Sequence, residues 1–161
     1  MITLGTCLWF DDEAEEAARF YTSVFPRSRI VSITTYPVET PSEKPVGSTM
    51  TVEFELDGRP FTALNGGPQF TFTEAVSLVV RTDDQAGTDR CWEALLADGG
   101  QPGPCGWLKD RFGLSWQVYP VELDRLMTDP DPDRAARAAR AMLAQSRIDV
   151  GAVRAAADGT G

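Results

Sequence analysis

Asp11-Asp12-Glu13-Ala14 recurs 72 residues further on as Asp83-Asp84-Gln85-Ala86, and this pair of stretches decides the fold. Each Asp-Asp follows a short apolar run, Cys7-Leu8-Trp9-Phe10 in the first copy and Val76-Ser77-Leu78-Val79-Val80 in the second. Each precedes a helical pattern. Ala14, Ala17, Ala18, Tyr21, Val24 and Phe25 recur at three- and four-residue spacing, as do Cys91, Trp92, Leu95 and Leu96. An Asp just ahead of a helix accepts hydrogen bonds from its free N–H groups and suits the positive end of its dipole, so both pairs predict helix starts. The helices should end near Pro26 and near Gly99-Gly100. The same offset carries Phe20 onto Trp92, which marks an internal repeat.

Strands follow each helix. Ile30–Tyr36 is rich in β-branched residues, and Thr49–Leu56 alternates Thr51, Glu53 and Glu55 against Met50, Val52, Phe54 and Leu56. Asp57-Gly58 predicts a tight turn into Phe61–Asn65. Pro37–Pro45 reads as an exposed loop. In the second copy, Gly106–Lys109 and Leu114–Tyr119 bracket Asp110-Arg111-Phe112-Gly113 as a shorter hairpin. The predicted fold is α+β: two tandem βαβββ modules, about 1–70 and 71–120, in one domain spanning 1–120. Residues 121–161 form a helical extension on that domain. There Val121–Met127 reads as a short helix, and Asp129-Pro-Asp-Pro-Asp133 starts another that runs on through the Ala- and Arg-rich Arg134–Arg147. A last turn docks through Ile148, Val150 and Val153, and the end Asp158–Gly161 is expected to fray.

Composition excludes several function classes. A net charge of −9 repels phosphate backbones and anionic membrane surfaces, so neither nucleic acid nor membrane is an expected partner. No apolar run approaches the roughly 20 residues of a membrane helix, and Met1–Gly5 has no signal-peptide character. The reading is a cytoplasmic protein. Its three cysteines, Cys7, Cys91 and Cys105, form no CxxC pair, which argues against a disulfide framework or a structural zinc site. With no histidine, every mechanism that needs an imidazole is closed.

The stretch Leu8–Tyr21, with Phe61-Thr-Ala-Leu-Asn-Gly-Gly67, Cys105-Gly-Trp-Leu-Lys-Asp110 and Phe112-Gly-Leu-Ser-Trp-Gln117, resembles the PhnB-like branch of the vicinal oxygen chelate superfamily, also called glyoxalase/bleomycin-resistance proteins. The resemblance implies paired βαβββ modules whose curved mixed sheet surrounds a cavity, in a homodimer. In metal-dependent members, two histidines and two glutamates on the first and last strands of each module hold the ion. Carried over, those positions fall on Gly5 (or Thr6), Asn65, Ser77 and Gln117, none of which is a strong ligand for a divalent cation. No metal and no cofactor is therefore expected, and metal-dependent ring cleavage or glyoxalase chemistry loses its Lewis acid. Relatives in that branch carry a 3-demethylubiquinone methyltransferase label. Methyl transfer of the common type needs a Gly-rich turn opening a helix, whereas Gly66-Gly67 is followed by Pro68.

The resulting expectation is a metal-independent, small-molecule-binding protein with a planar or aromatic ligand, held by Trp9, Asn65, Ser77, Trp107 and Gln117 in a mostly apolar cup. Three of them have a structural rival. Trp9 can be core, Asn65 can end a strand by turn bonding, and Gln117 can tie two strands together. Strand alternation puts Gly5, Cys7 and Trp9 on one face, and Ser77, Val79 and Arg81 on another. Cys105 lacks a base and reads as inert, Lys109 as an exposed charge, and Arg134, Arg137 and Arg140 as a solvated or ion-paired stripe. No catalytic residue is assigned. The alternative is a lyase, isomerase or dioxygenase with a non-standard metal held by carboxylates such as Glu53 or Glu55.

Overall fold

Both apolar runs become first strands. A computed structural model describes residues 1–2, 4–41 and 43–160. Thr3 of the stretch read for a signal peptide, Ser42 of the proline-rich loop and the terminal Gly161 lie outside the described residues. The chain forms two compact units, 1–72 and 73–161.

Unit 1 runs β1 (Thr6–Phe10), α1 (Ala14–Val24), β2 (Arg29–Thr35), β3 (Thr49–Leu56) and β4 (Arg59–Asn65). Its sheet order is β1-β4-β3-β2, with β1 parallel to β4 and the other pairs antiparallel. Leu8, Phe10, Val52, Phe54, Phe61 and Ala63 are buried, as are Ala14, Ala17, Ala18 and Tyr21 of α1. The small alanines let the helix lie close on the sheet, and the alternation read in β3 holds, with Val52, Phe54 and Leu56 buried. Asp57 and Gly58 both take positive φ, 48° and 78°, as a tight primed hairpin turn requires.

Unit 2 repeats the order: β5 (Ser77–Thr82), α2 (Gln85–Leu96), β6 (Gln101–Pro102), β7 (Trp107–Lys109) and β8 (Ser115–Pro120), in a sheet ordered β5-β8-β7-β6. Each module therefore carries its own four-stranded mixed sheet. The two-residue β6 is too short to leave any periodic trace in the sequence.

The twin Asp pairs act differently. Asp84 caps α2 as expected, its Oδ1 accepting from the Gly87 N–H at 2.7 Å. Neither Asp11 nor Asp12 caps α1. Glu13 occupies the cap position without a side-chain bond to the helix's N–H groups, and the first helical N–H, that of Ala14, donates to Asn65 Oδ1 at 2.8 Å.

The extension contributes α3 (Glu122–Met127), α4 (Pro132–Leu143) and α5 (Val150–Asp158). Leu123, Leu126, Ala138, Ile148, Val150, Val153 and Ala157 form its core. Gln85 of α2 holds the turn before α5, donating to Ile148 O at 2.8 Å and accepting from Val150 N at 3.0 Å. Two expectations change here. The last turn is a nine-residue helix capped by Asp149, and the chain end stays hydrogen-bonded to it through Thr160. Gly159 adopts φ 73°, and Thr160 N donates back to Ala155 O at 2.9 Å, which closes the helix end. Arg134 pairs with Asp129 and Asp158, and Arg137 donates to Ala157 O, so those two arginines tie helices together within the unit. No helix among the described residues is long and apolar enough to cross a membrane.

Candidate functional site

Strand register sorts the predicted site residues by face, because side chains of directly paired residues lie on the same side of a sheet. In unit 1, Leu8 pairs with Ala63 and Phe10 with Asn65, on the side covered by α1; Cys7 pairs with Thr62 and Trp9 with Leu64, on the far face. Asn65 therefore lies on the opposite face from Trp9. It is buried, with its Oδ1 on Ala14 N and its Nδ2 on Thr49 O at 3.0 Å. Both amide atoms of Asn65, expected to meet a ligand, are thus bonded within the fold. Matched by pairing and face, the unit 1 counterpart of Gln117 is Thr62.

Trp9 is half-buried and held on three sides. Its Nε1 donates to Gly67 O at 2.8 Å, and Phe70 meets its ring edge-on at 5.0 Å. A Cβ on Gly66 would collide with the ring, so glycine is required there by close approach. Thr62 on the same far face donates to Glu53 at 2.9 Å. Glu55 pairs with Arg29 at 2.9 Å. Burial, with a smaller contribution from the Glu53 charge, pushes the Cys7 thiol above its ordinary value.

In unit 2, Ser77 and Gln117 do come together: Gln117 Nε2 donates to Ser77 Oγ at 2.9 Å, joining β5 to β8. Trp107 pairs with Gln117, and Lys109 with Ser115, so Trp107, Lys109, Ser115, Ser77 and Gln117 share the far face. Arg81, further along β5, is held by Asp124 at 2.9 Å.

A recess of about 460 Å³ opens beside these strands. Glu74, Pro102, Cys105, Trp107, Lys109 and Ser115 are among the residues that line it. Of the five predicted site residues only Trp107 is among them. Lys109 Nζ meets Glu74 Oε1 at 2.5 Å, and that bond holds the Glu74 carboxyl below its ordinary range. Ser115 is fully buried, yet its Oγ has no hydrogen-bond partner among the described residues. Cys105 takes φ 57°, with its N–H on Gln145 O at 2.8 Å.

Below the recess, Asp110 organises the β7–β8 turn. It accepts from Phe112 N at 2.9 Å, Leu114 N at 3.1 Å and the Trp116 indole at 2.8 Å. Nothing in the sequence reading singled out Asp110, although Asp-x-x-Gly is a turn-forming spacing.

The strand positions that carry metal in metal-dependent relatives do not suit a divalent cation here. In unit 2 they hold a hydroxyl and an amide already bonded to each other. In unit 1 the last-strand position matched by pairing and face is Thr62 rather than Asn65, and Thr62 is bonded to Glu53. Among the described residues no three His, Cys, Asp or Glu side chains gather as a metal site would require.

Paired βαβββ modules define the class, that of the vicinal oxygen chelate fold. Within it, residues 3–119 match the family model described as 3-demethylubiquinone-9 3-methyltransferase, and the chain belongs to that family, the PhnB-like branch of the superfamily. The PhnB protein of Bacillus cereus is 33% identical, with a TM-score of 0.64 over 74% of this chain and 100% of that one. Protein PA1353 of Pseudomonas aeruginosa (18% identity, TM-score 0.60, 74% of this chain and 98% of that one) shares the fold. So does the fosfomycin resistance protein FosX of Listeria monocytogenes (13% identity, TM-score 0.51, 76% and 98%). No curated protein matches the chain. The methyltransferase wording is the family's name. In this chain β4 runs through Gly66-Gly67 to β5 with no helix between them among the described residues, unlike the strand–turn–helix of a dinucleotide-type cofactor site.

Proposed function

We propose that the chain binds a small organic molecule in the recess of unit 2, without a metal. The observation that carries this reading is the lining. One hollow of about 460 Å³ combines an indole, an ammonium and a buried hydroxyl without a partner among the described residues. That volume falls within the range of about 300–1,000 Å³ typical of small-molecule sites, and mixed lining with few polar groups is their usual character. Trp107 supplies a flat apolar wall for a planar or aromatic ligand. Ser77 and Gln117 hold β5 to β8 behind it. A homodimer belongs to the same proposal; the exposed Val31 and Ile33 on edge strand β2 support it.

The test is a thermal-shift panel of aromatic acids, amines and neutral compounds on the full chain, with and without a chelator, repeated on Trp107→Ala. Stabilisation that survives chelation and is lost in the variant is expected. A panel without any stabilising compound would end the binding reading, and stabilisation abolished by chelation would end its metal-free part. Light scattering of the eluted protein at twice the chain mass is expected; a single-chain mass would remove the dimer.

A further inference from the structure

We propose that the recess takes a small organic acid, whose carboxylate displaces Glu74 from the Lys109 ammonium and accepts a hydrogen bond from the Ser115 hydroxyl. This rests on the binding reading above and names its ligand class.

Lys109 and Ser115 are direct cross-strand partners on β7 and β8, so their side chains stand next to each other on the far face. Both line the recess. An ammonium beside a hydroxyl donor is an oxyanion subsite, since both groups donate and a carboxylate only accepts. The fold does not use the hydroxyl: Ser115 Oγ is buried without a partner among the described residues, and buried hydroxyls in folded proteins are otherwise satisfied.

The ammonium is already bound to a carboxylate, and that carboxylate is replaceable. Glu74 sits in the turn leading into β5, with its side chain 63% exposed. Two bonds of that turn are long, Val76 N to Thr73 O at 3.5 Å and Ala75 N to Thr73 Oγ1 at 3.4 Å. A pair this open to water contributes little, so a ligand that satisfies Lys109 and Ser115 together gains over Glu74, which satisfies Lys109 alone. Ser115 has no exposed surface, so lining side chains, Glu74 among them, move aside as the acid enters. Pro102, Pro104 and the Trp107 ring then face the ligand's apolar body. Glu74 is in effect an internal competitor.

Isothermal titration calorimetry on the full chain with benzoate and its neutral amide, benzamide, tests this. Benzoate is expected to bind about tenfold more tightly, the usual worth of a charge-assisted hydrogen bond. Lys109→Met and Ser115→Ala should each erase most of that preference, with circular dichroism confirming the fold. Glu74→Gln should tighten benzoate about two- to fivefold, the scale of an exposed ion pair, and leave benzamide unchanged. Equal binding of the two probes would overturn the acid proposal, as would a Glu74→Gln variant that weakens benzoate. Binding by other members of the compound panel but by neither probe would overturn it too and leave the binding reading standing; no binding by any compound removes both.

Discussion

Replacing Asn65 by Ala tests whether this residue belongs to the fold or to a ligand. Asn65 is 5% exposed and Ala14, whose N–H it receives, is fully buried. Removing the amide leaves that N–H without its acceptor at a helix start, a loss of about 1–3 kcal/mol for a buried donor. The bond from Nδ2 to the Thr49 carbonyl goes as well, at about 0.5–1.5 kcal/mol. Together the loss is about 2–4 kcal/mol, a large part of a typical domain's stability. With a urea dependence of about 2 kcal/mol per molar, the midpoint should fall by about 1–2 M. Far-UV circular dichroism follows the transition, because α1 is the element undercapped. Asn65→Asp keeps the acceptor for Ala14 but sets a carboxylate oxygen against the Thr49 carbonyl, so its midpoint should lie between the other two. Binding of any recess ligand in unit 2 should be unchanged in both variants. An unmoved midpoint in Asn65→Ala, with ligand binding lost, would refute the capping role and restore Asn65 to a binding site.

Three further outcomes are expected. Gly66→Ala drives a methyl into the Trp9 ring and should lower stability by about 1–3 kcal/mol, with a shifted tryptophan emission; an unaltered spectrum and melting temperature would contradict the close packing. Asp110→Ala removes bonds to two backbone N–H groups of the β7–β8 turn and to the Trp116 indole, and should cost about 3 kcal/mol or more by chemical denaturation. The Glu122 carboxyl is held below its ordinary value of 4.5, first by its hydrogen bond to Arg154. Its folded pKa is thus depressed, so its contribution is complete above pH 4.5 and fades as pH falls through the lower folded value. Denaturation midpoints measured downward from pH 5 should show a small loss of stability that Glu122→Gln reduces; because the pair is largely solvent-screened, the difference should stay under about 1 kcal/mol.

The βαβββ order was legible because alternation and helical spacing are local properties: β3 runs over Thr49–Leu56 as its alternation predicted, and Asp57-Gly58 makes its turn. Tertiary pairing decided the rest. Asn65 alternates with Phe61 and Ala63 in either reading, but only the parallel register with β1 shows that this face meets α1. Two identical Asp-Asp signals gave one cap, because Glu13 rather than Asp12 reaches the cap position of α1. Lys109 read as an exposed charge, and Ser115 was placed on a strand face with Gln117 but given no role; their interest comes from a cross-strand pairing and a hydroxyl without a partner among the described residues, neither of which has a sequence pattern. Of the five residues expected to hold a ligand, Trp107 alone lines the recess, a placement that depends on its cross-strand pairing with Gln117. The extension's helices were expected, while the length of α5 was masked by its alanines, which serve core and surface equally.

The unequal capping of the two modules bears on the order in which they can fold. Asp84 reaches an N–H three residues away, so α2 carries its own start and can nucleate within a single turn of chain. The start of α1 waits for a residue 51 positions downstream, which arrives only when β4 has closed beside β1. That contact closes a long loop before it returns any stabilisation, which is a slow step in chain statistics. During synthesis the first helix leaves the ribosome well before its cap does. That segment lacks its cap until the last strand of its own module is made, whereas the second helix carries its cap with it as it emerges.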